Sequence, residues 1–245
     1  MIPIGDEDAG NSVKPYVNWT IIGLCVVVFL YEITMPPAGL DAFFLQWGAI
    51  PAEISRFHNL YGLITSMFLH GGWTHLLGNM VFLFVFGDNI EDAMGHVSYL
   101  LFYLLTGIVA GLTQIVLSPS STIPLIGASG AIAGVLGAYI VLFPQGKVRA
   151  LVFFGYFGQV LLVPAWVMLG LWFVLQLVSG VTSLGAADVG GVAFWAHVGG
   201  FVAGALLVWL FRDKEAVARQ NAMRAGNQAW QRLPAGSQRG RRGPF

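Results

Sequence analysis

The chain has 245 residues, 56% of them hydrophobic and only 10% charged, with acidic and basic side chains equal at 12 each and a mean hydropathy of +0.73. A soluble domain carries about 25% charged residues, so too little charge is present to cover a water-facing surface, and the composition predicts a multi-pass membrane protein folded as one bundle. The lone cysteine, Cys25, lies in an apolar run, which excludes an internal disulfide and gives no basis for a cysteine metal site.

Residues 1–16 are polar and acidic (Asp6, Glu7, Asp8). They read as a short segment ahead of the membrane rather than a cleavable signal, because the first apolar stretch is of spanning length. A spanning helix needs about 20 mostly apolar residues, and the first candidate runs from about Val17 to Thr34. Met35 to Gly72 is semi-apolar, with Phe43, Phe44 and Trp47, and is expected to be a structured insertion at the membrane interface. A second span follows at about Trp73 to Phe86, closed by Asp88, Glu91 and Asp92, and a third at about Val97 to Leu117. The loop Ser118 to Pro124 leads to a fourth span at about Gly127 to Phe143. Leu151 to Gly180 has no charge and is too long for one upright helix and too short for two. It divides into an interfacial stretch, Leu151 to Gly158, and a fifth span, Leu161 to Val178, with Pro164 at its start or at a kink. The sixth span is about Val192 to Phe211.

The predicted fold is all-α: a polytopic bundle of six transmembrane helices over residues 17–211, with a membrane-associated loop between the first and second. Residues 212–245 form a polar, basic tail that is expected to be disordered and to contact anionic lipid rather than nucleic acid. Six spans put both termini on one side. Lys14, Lys147, Arg149 and every basic residue of the tail fall there, and only Arg56 falls opposite. This asymmetry places both termini in the cytoplasm. The absence of a transit peptide and the short basic tail favour a bacterial inner membrane.

In that topology spans two, four and six all begin at the outer leaflet. Span two opens with His75 and Asn79, span four with Ser129, and span six carries His197 near its start. Polar and ionisable groups within a membrane are costly and expected to have partners. A serine hydroxyl is a poor nucleophile until a base takes its proton, and histidine is the usual base near neutral pH. Ser129, Ala133 and Gly137 form one small-residue stripe and Ala196, Gly200 and Gly204 another. If these face each other, they bring Ser129 and His197 together as a dyad. His75 and Asn79, spaced i, i+4, share a helix face and can donate to an oxyanion. The Ser129 amide, in the first turn of its helix, lacks an intrahelical partner. Asp188, the acid nearest His197 in sequence, falls in the preceding loop, which favours a dyad over a triad.

"HGGWTHLLGNM" (His70 to Met80), "GASG" (Gly127 to Gly130) and "AHVGGFVAG" (Ala196 to Gly204), in this order on spans two, four and six, together resemble the rhomboid intramembrane serine proteases. The resemblance covers about Val17 to Phe211. It implies a six-helix bundle, a Ser129/His197 dyad and an oxyanion site from His75, Asn79 and the Ser129 amide. It also implies helix-packing glycines Gly127, Gly130, Gly200 and Gly204 around the site. Substrates would be single-pass transmembrane proteins cut near their outer membrane boundary. The insertion would be the family's membrane-embedded loop, and the fifth span a movable side wall. Many relatives carry a tyrosine four residues after the serine that packs on the histidine. Here that position is Ala133, so the His197 ring needs support from elsewhere.

Each residue also has a plainer reading. Ser129 alone reads as a helix cap, His197 as a packing histidine and Asn79 as interhelical glue. His70, off the His75 face, is expected to be structural, and His58 and His96 to be ordinary solvated residues. No metal or cofactor is expected, since no HExxH motif, carboxylate cluster or cysteine pair accompanies the histidines. Two rivals to the protease remain: a non-catalytic relative that binds transmembrane helices, and a small transporter or channel. Against the transporter, the polar groups lie at one depth and no inverted repeat is visible.

Overall fold

The structure is a computed structural model that describes residues 1–7, 11–154, 157–183 and 193–231. It is mostly helical, and each predicted span overlaps a helix. α1 (Tyr16–Glu32) stops ahead of Pro36 and Pro37, since a residue preceding proline is forced out of helical geometry. Pro37 then opens α2 (Pro37–Trp47) at the position where proline is best tolerated. The insertion continues through two single-turn helices, α3 (Pro51–Ile54) and α4 (Gly62–Thr65), and a 3₁₀ turn, Ser66–Phe68. α5 (Trp73–Met94) and α6 (His96–Leu117) are joined by Gly95 alone, at φ 76°. Only glycine holds that left-handed conformation cheaply. α7 (Ser129–Leu142), α8 (Ala165–Ser183), α9 (Phe194–Phe211) and α10 (Lys214–Gln231) complete the helices.

By length and composition, α6, α8 and α9 are long and apolar enough to cross a membrane, and α1 and α7 are shorter apolar helices. α5 is as long as α6 but carries Asp88, Glu91 and Asp92 in its last two turns. α7 occupies the centre: Ala131 through Tyr139 are buried without a break, as expected for a helix with neighbours on all sides. It packs on α5, α6 and α9.

The closest backbone approach in the bundle is between α7 and α9. A Cβ placed at Gly200 or Gly204 would overlap the carbonyl oxygens of Gly130 and Gly134 respectively. Gly130 and Gly134, rather than the predicted Ser129–Ala133–Gly137 stripe, are therefore the residues that meet the α9 stripe. The neighbouring face wins because a carbonyl can approach a Cα hydrogen more closely than any side chain. Gly137 joins the contact farther along α7, against the Phe201 carbonyl.

Two features differ from the all-α expectation. β1 (Ile2–Asp6), β2 (Lys147–Phe154) and β3 (Phe157–Pro164) form an antiparallel sheet in that order. Asp6 pairs with Val148 and Lys147 with Pro164. Residues 151–154 and 157–158 of the interfacial stretch and the first residues of the expected fifth span thus lie in paired antiparallel strands, and the helix begins only after Pro164. An apolar run rich in Val and Phe is strand or helix by hydropathy alone, and only pairing decides. The second difference is the tail, whose residues 214–231 form α10 rather than a disordered segment. Ala216, Val217, Gln220 and Arg224 are its buried face, spaced for one side of a helix. The "RGRRG" run (239–243) lies outside the described residues.

α10 docks where α5 and α7 end. Arg219 Nη2 lies 2.7 Å from Asp92 Oδ2, and Gln220 Nε2 donates to the same oxygen at 2.7 Å. Arg224 is buried, donates to Asn89 Oδ1 at 2.6 Å and to Asp6 Oδ2 at 3.2 Å, and lies over the Phe143 ring. Asp92 and Glu91 also accept backbone N–H groups of the approach to α1 and of its first turn, Val13 at 2.8 Å and Asn18 at 2.7 Å. Those N–H groups have no partner within the helix. Burial raises Asp6 from the ordinary carboxylate value to about 6, opposed by Arg224, the Tyr139 hydroxyl and Arg149.

Gly204→Val is expected to force α7 and α9 apart and lower stability by about 3 kcal/mol, the upper end for overpacking, seen as a fall in Tm of the detergent-solubilised protein. Arg224→Ala is expected to cost about 3 kcal/mol above neutral pH, where the buried Asp6 carboxylate loses its ion-pair partner and keeps the Tyr139 hydroxyl as its side-chain donor. Because the folded Asp6 binds its proton more tightly than the unfolded chain, its contribution worsens as pH rises from about 4 to 6 and beyond in the variant. The deficit against wild type should therefore be small at about pH 4 and full by about pH 7.5 in thermal melts.

Candidate active site

The residues singled out from the sequence converge at the ends of three helices. Ser129 is the first residue of α7 and His197 lies in the first turn of α9, and the close packing of these helices sets His197 Nε2 2.7 Å from Ser129 Oγ. The imidazole is buried and the serine half-buried. Of the two ring nitrogens, Nε2 faces the hydroxyl, so it is the proton acceptor when the ring is neutral.

His75 and Asn79 lie one turn apart at the start of α5, and both face the turn that precedes Ser129. Gly127 there has φ +117°, and a Cβ on it would come within 2.5 Å of His75 Nε2 and 3.6 Å of Asn79 Nδ2. Glycine is required twice over, by its dihedral and by the approach of both side chains. His75 Nδ1 accepts a long hydrogen bond from the Gly71 N–H, 3.4 Å, which places the ring proton on Nε2, directed at the site. Asn79 Nδ2 is buried with no hydrogen-bond partner among the described residues. A buried donor without an acceptor costs about 1–3 kcal/mol, and here it lines the same cavity as Ser129 and His197.

The insertion holds this geometry from the side. Ala49 and Leu125 exchange backbone hydrogen bonds of 3.0 and 2.9 Å, and the Gly127 N–H donates to the Ser66 carbonyl at 2.8 Å. The loop before α7 is thus pinned to the junction between α2 and α3 and to the 3₁₀ turn. His70 belongs to this scaffold: its backbone N–H donates to the buried Glu32 carboxylate at the end of α1, 3.2 Å, and its ring lies 5.1 Å from that of His75. His58 is exposed, as expected. His96, expected to be solvated, has a side chain that is 41% exposed and also pairs with Glu91 at 2.5 Å across the α5–α6 turn.

The support for His197 comes from α8. Gln176 Oε1 lies 2.8 Å from His197 Nδ1, and the Trp172 ring, one turn earlier, lies 5.8 Å from the imidazole at 37°. Neither residue is titratable, and neither stands out in the sequence as a partner for His197. The available signal was a glutamine in the middle of a run with no charge, where an amide needs a partner. Asp188 and the rest of the loop before α9 lie outside the described residues. A cavity of about 570 Å³ joins Ser129, His197, His75, Asn79, Gln114 and Trp172. It is large enough for several waters or a peptide segment.

Residues 58–214 match the family model of the Rhomboid domain. Among curated proteins, the chain is 30% identical over 159 residues to "Rhomboid-like protein 11, chloroplastic" of Arabidopsis thaliana, covering 63% of this chain and 54% of that protein. It is 27% identical over 214 residues to "Rhomboid protein 1, mitochondrial" of Saccharomyces cerevisiae, covering 84% and 56%. It is 26% identical over 212 residues to "Rhomboid protease AarA" of Providencia stuartii, covering 77% and 69%. The chain spans about half the length of the first two.

Gly127→Ala is expected to push the His75 ring out of the site and strain the turn by about 1–2 kcal/mol. The measurable outcome is a Tm lower by a few degrees, with the reactivity of Ser129 toward a fluorophosphonate reduced more than the small loss of folded protein explains.

Proposed function

The chain belongs to the rhomboid family, and on that premise we propose that it is an intramembrane serine endopeptidase acting through Ser129 and His197. The observation that carries this reading is the 2.7 Å contact between His197 Nε2 and Ser129 Oγ, with the unpartnered amide of Asn79 in the same cavity.

The six spans are α1, α5, α6, α7, α8 and α9, with both termini and α10 on the cytoplasmic side and the insertion on the outer side. At 14 residues, α7 is about 21 Å long against a hydrocarbon core of about 30 Å. Its first residue therefore lies below the outer surface, and the irregular backbone of residues 118–128 lines the cavity instead of meeting lipid, as unpaired backbone at that depth must. The same cavity admits the water that peptide hydrolysis consumes.

In the reaction, Ser129 Oγ attacks the scissile carbonyl carbon while its proton passes to His197 Nε2. Negative charge moves to the carbonyl oxygen. Asn79 Nδ2, His75 Nε2–H and the Ser129 backbone N–H are the donors available to it, in a site where a low dielectric strengthens each bond. His197 then gives its proton to the leaving amine, the C–N bond breaks and an acyl ester forms on Ser129. Water, deprotonated by His197, attacks the ester. A second tetrahedral intermediate collapses to a carboxylate product, and Ser129 regains its proton. Substrates are single-pass transmembrane proteins whose helix unwinds near the outer boundary.

Cleavage of a transmembrane-helix reporter by the purified protein tests the reading. Ser129→Ala and His197→Ala are each expected to lose about 10⁴-fold or more in kcat, and Asn79→Ala about 10²- to 10³-fold, all with wild-type Tm. Cleavage that survives Ser129→Ala refutes the nucleophile. If wild type binds reporters and cuts none, the protein is a helix-binding relative instead.

A further inference from the structure

His197 needs more than a serine. While Nε2 accepts the Ser129 hydroxyl proton, the neutral ring must carry its own hydrogen on Nδ1, and that N–H has to be donated to an acceptor in a place that water barely reaches. The atom on the far side of the ring is Gln176 Oε1, 2.8 Å from Nδ1. Its amide can receive the bond only through oxygen, so the geometry of the ring also fixes the amide's orientation. Trp172, four residues earlier on the same face of α8, lies alongside the imidazole and limits rotation about the other axis. Ala133, on α7, is too short to replace it.

We propose that Gln176 is the positioning residue of the general base, holding His197 in the tautomer and orientation that leave Nε2 free to take the serine proton. The inference rests on the dyad reading above. In the attack step one proton moves, from Ser129 Oγ to His197 Nε2. The Nδ1–H stays on the ring throughout, donated to Gln176 Oε1, and that bond strengthens as the ring becomes an imidazolium. An amide oxygen does this without a second buried charge, which in a lipid setting would be costly. Around the ring, α7 contributes neutral Ser129, α8 contributes neutral Trp172 and Gln176, and the titratable side chain acting on it from α5 is His75.

The location adds a consequence. The nucleophile stands on α7, the base on α9 and the positioning residue on α8. α8 is held to α9 by the stacked pair Phe173–Phe201, with centroids 4.5 Å apart, and by the Trp195 indole N–H donating to the Gly180 carbonyl at 3.1 Å. The base is fully oriented only while these contacts keep α8 seated.

The test compares wild type, Ser129→Ala, Gln176→Leu and Gln176→Glu for reporter cleavage across about pH 5 to 9, for the rate of Ser129 phosphonylation by a fluorophosphonate, and for Tm. Leucine fits an apolar helix and leaves Tm unchanged, but it cannot accept a hydrogen bond. It is expected to lower kcat and the phosphonylation rate about 10- to 100-fold, as loss of an outer-shell partner does, with KM little changed. Glutamate keeps an acceptor and adds a charge that favours the imidazolium. It is expected to retain more activity than leucine while moving the acidic limb of kcat/KM upward by about one pH unit or more. Wild-type kcat and phosphonylation in Gln176→Leu overturn the proposal, and so does a common loss of Tm in both variants with the acidic limb unmoved. Cleavage that persists in Ser129→Ala overturns the dyad itself and the role of Gln176 with it. Cleavage lost in Ser129→Ala but full in Gln176→Leu overturns only the positioning role.

Discussion

The contact on which the rest depends is backbone against backbone: the Gly200 and Gly204 Cα atoms seated on the Gly130 and Gly134 carbonyls. In lipid, burying apolar side chains between helices gains little over leaving them in contact with acyl chains, so helices associate through close packing. Removing the side chains from both faces lets α7 and α9 run side by side with backbone against backbone. Ser129 and His197 each sit at the first turn of one of these helices. A separation larger by one methyl group would open the 2.7 Å hydrogen bond between them, so the glycines are what holds that contact closed.

Everything else at this end of the bundle refines that pair. α5 brings His75 and Asn79 against the Gly127 turn. The insertion fixes that turn through the Ala49–Leu125 bridge and the Ser66 carbonyl, and Glu32 ties the insertion back to the end of α1 through the His70 amide. These are hydrogen bonds made by the backbone of irregular chain, and they hold three helix ends in one geometry without a disulfide. α8 stands apart in kind. It approaches through side chains, and of its residues only Ala165, Met168, Leu169 and Gly180 are buried. The helix that supplies the support for the base is thus also one attached by few buried groups, and stability is not expected to be uniform across such a fold.

The opposite end is closed by charge rather than by glycine. Asp6, Asp92 and Glu91 accept bonds from α1, α10 and the N-terminal segment, and Arg224 reaches into the core between Asn89, Asp6 and the rings of Tyr139 and Phe143. Two arginines of a tail expected to meet lipid face acids of the bundle instead. The uneven distribution of basic residues along the sequence and the packing of α10 thus draw on the same residues: Arg219 and Arg224 find the Asp92 and Asp6 carboxylates.

By itself the sequence determined the properties that follow from composition and short-range spacing. The scarcity of charge dictated a membrane bundle, runs of apolar residues marked where α1, α5, α6, α7 and α9 begin to within two residues, and i, i+4 spacing put His75 and Asn79 on one face. Ser129 and His197 could be paired because each is a costly polar group at the start of an apolar helix, and such groups need partners. Hydropathy alone did not distinguish the β2–β3 pair from helix, since Val, Leu and Phe suit both and only the pairing with β1 decides. The amphipathic face of α10 has no meaning until α5 offers Asn89 and Asp92 to it. Which small residues of α7 meet α9 depends on a helix rotation of less than half a turn, set by the whole bundle. Gln176 and Trp172 are silent in sequence for the same reason: an amide and an indole in an apolar span acquire a role only when packing brings a particular imidazole within reach.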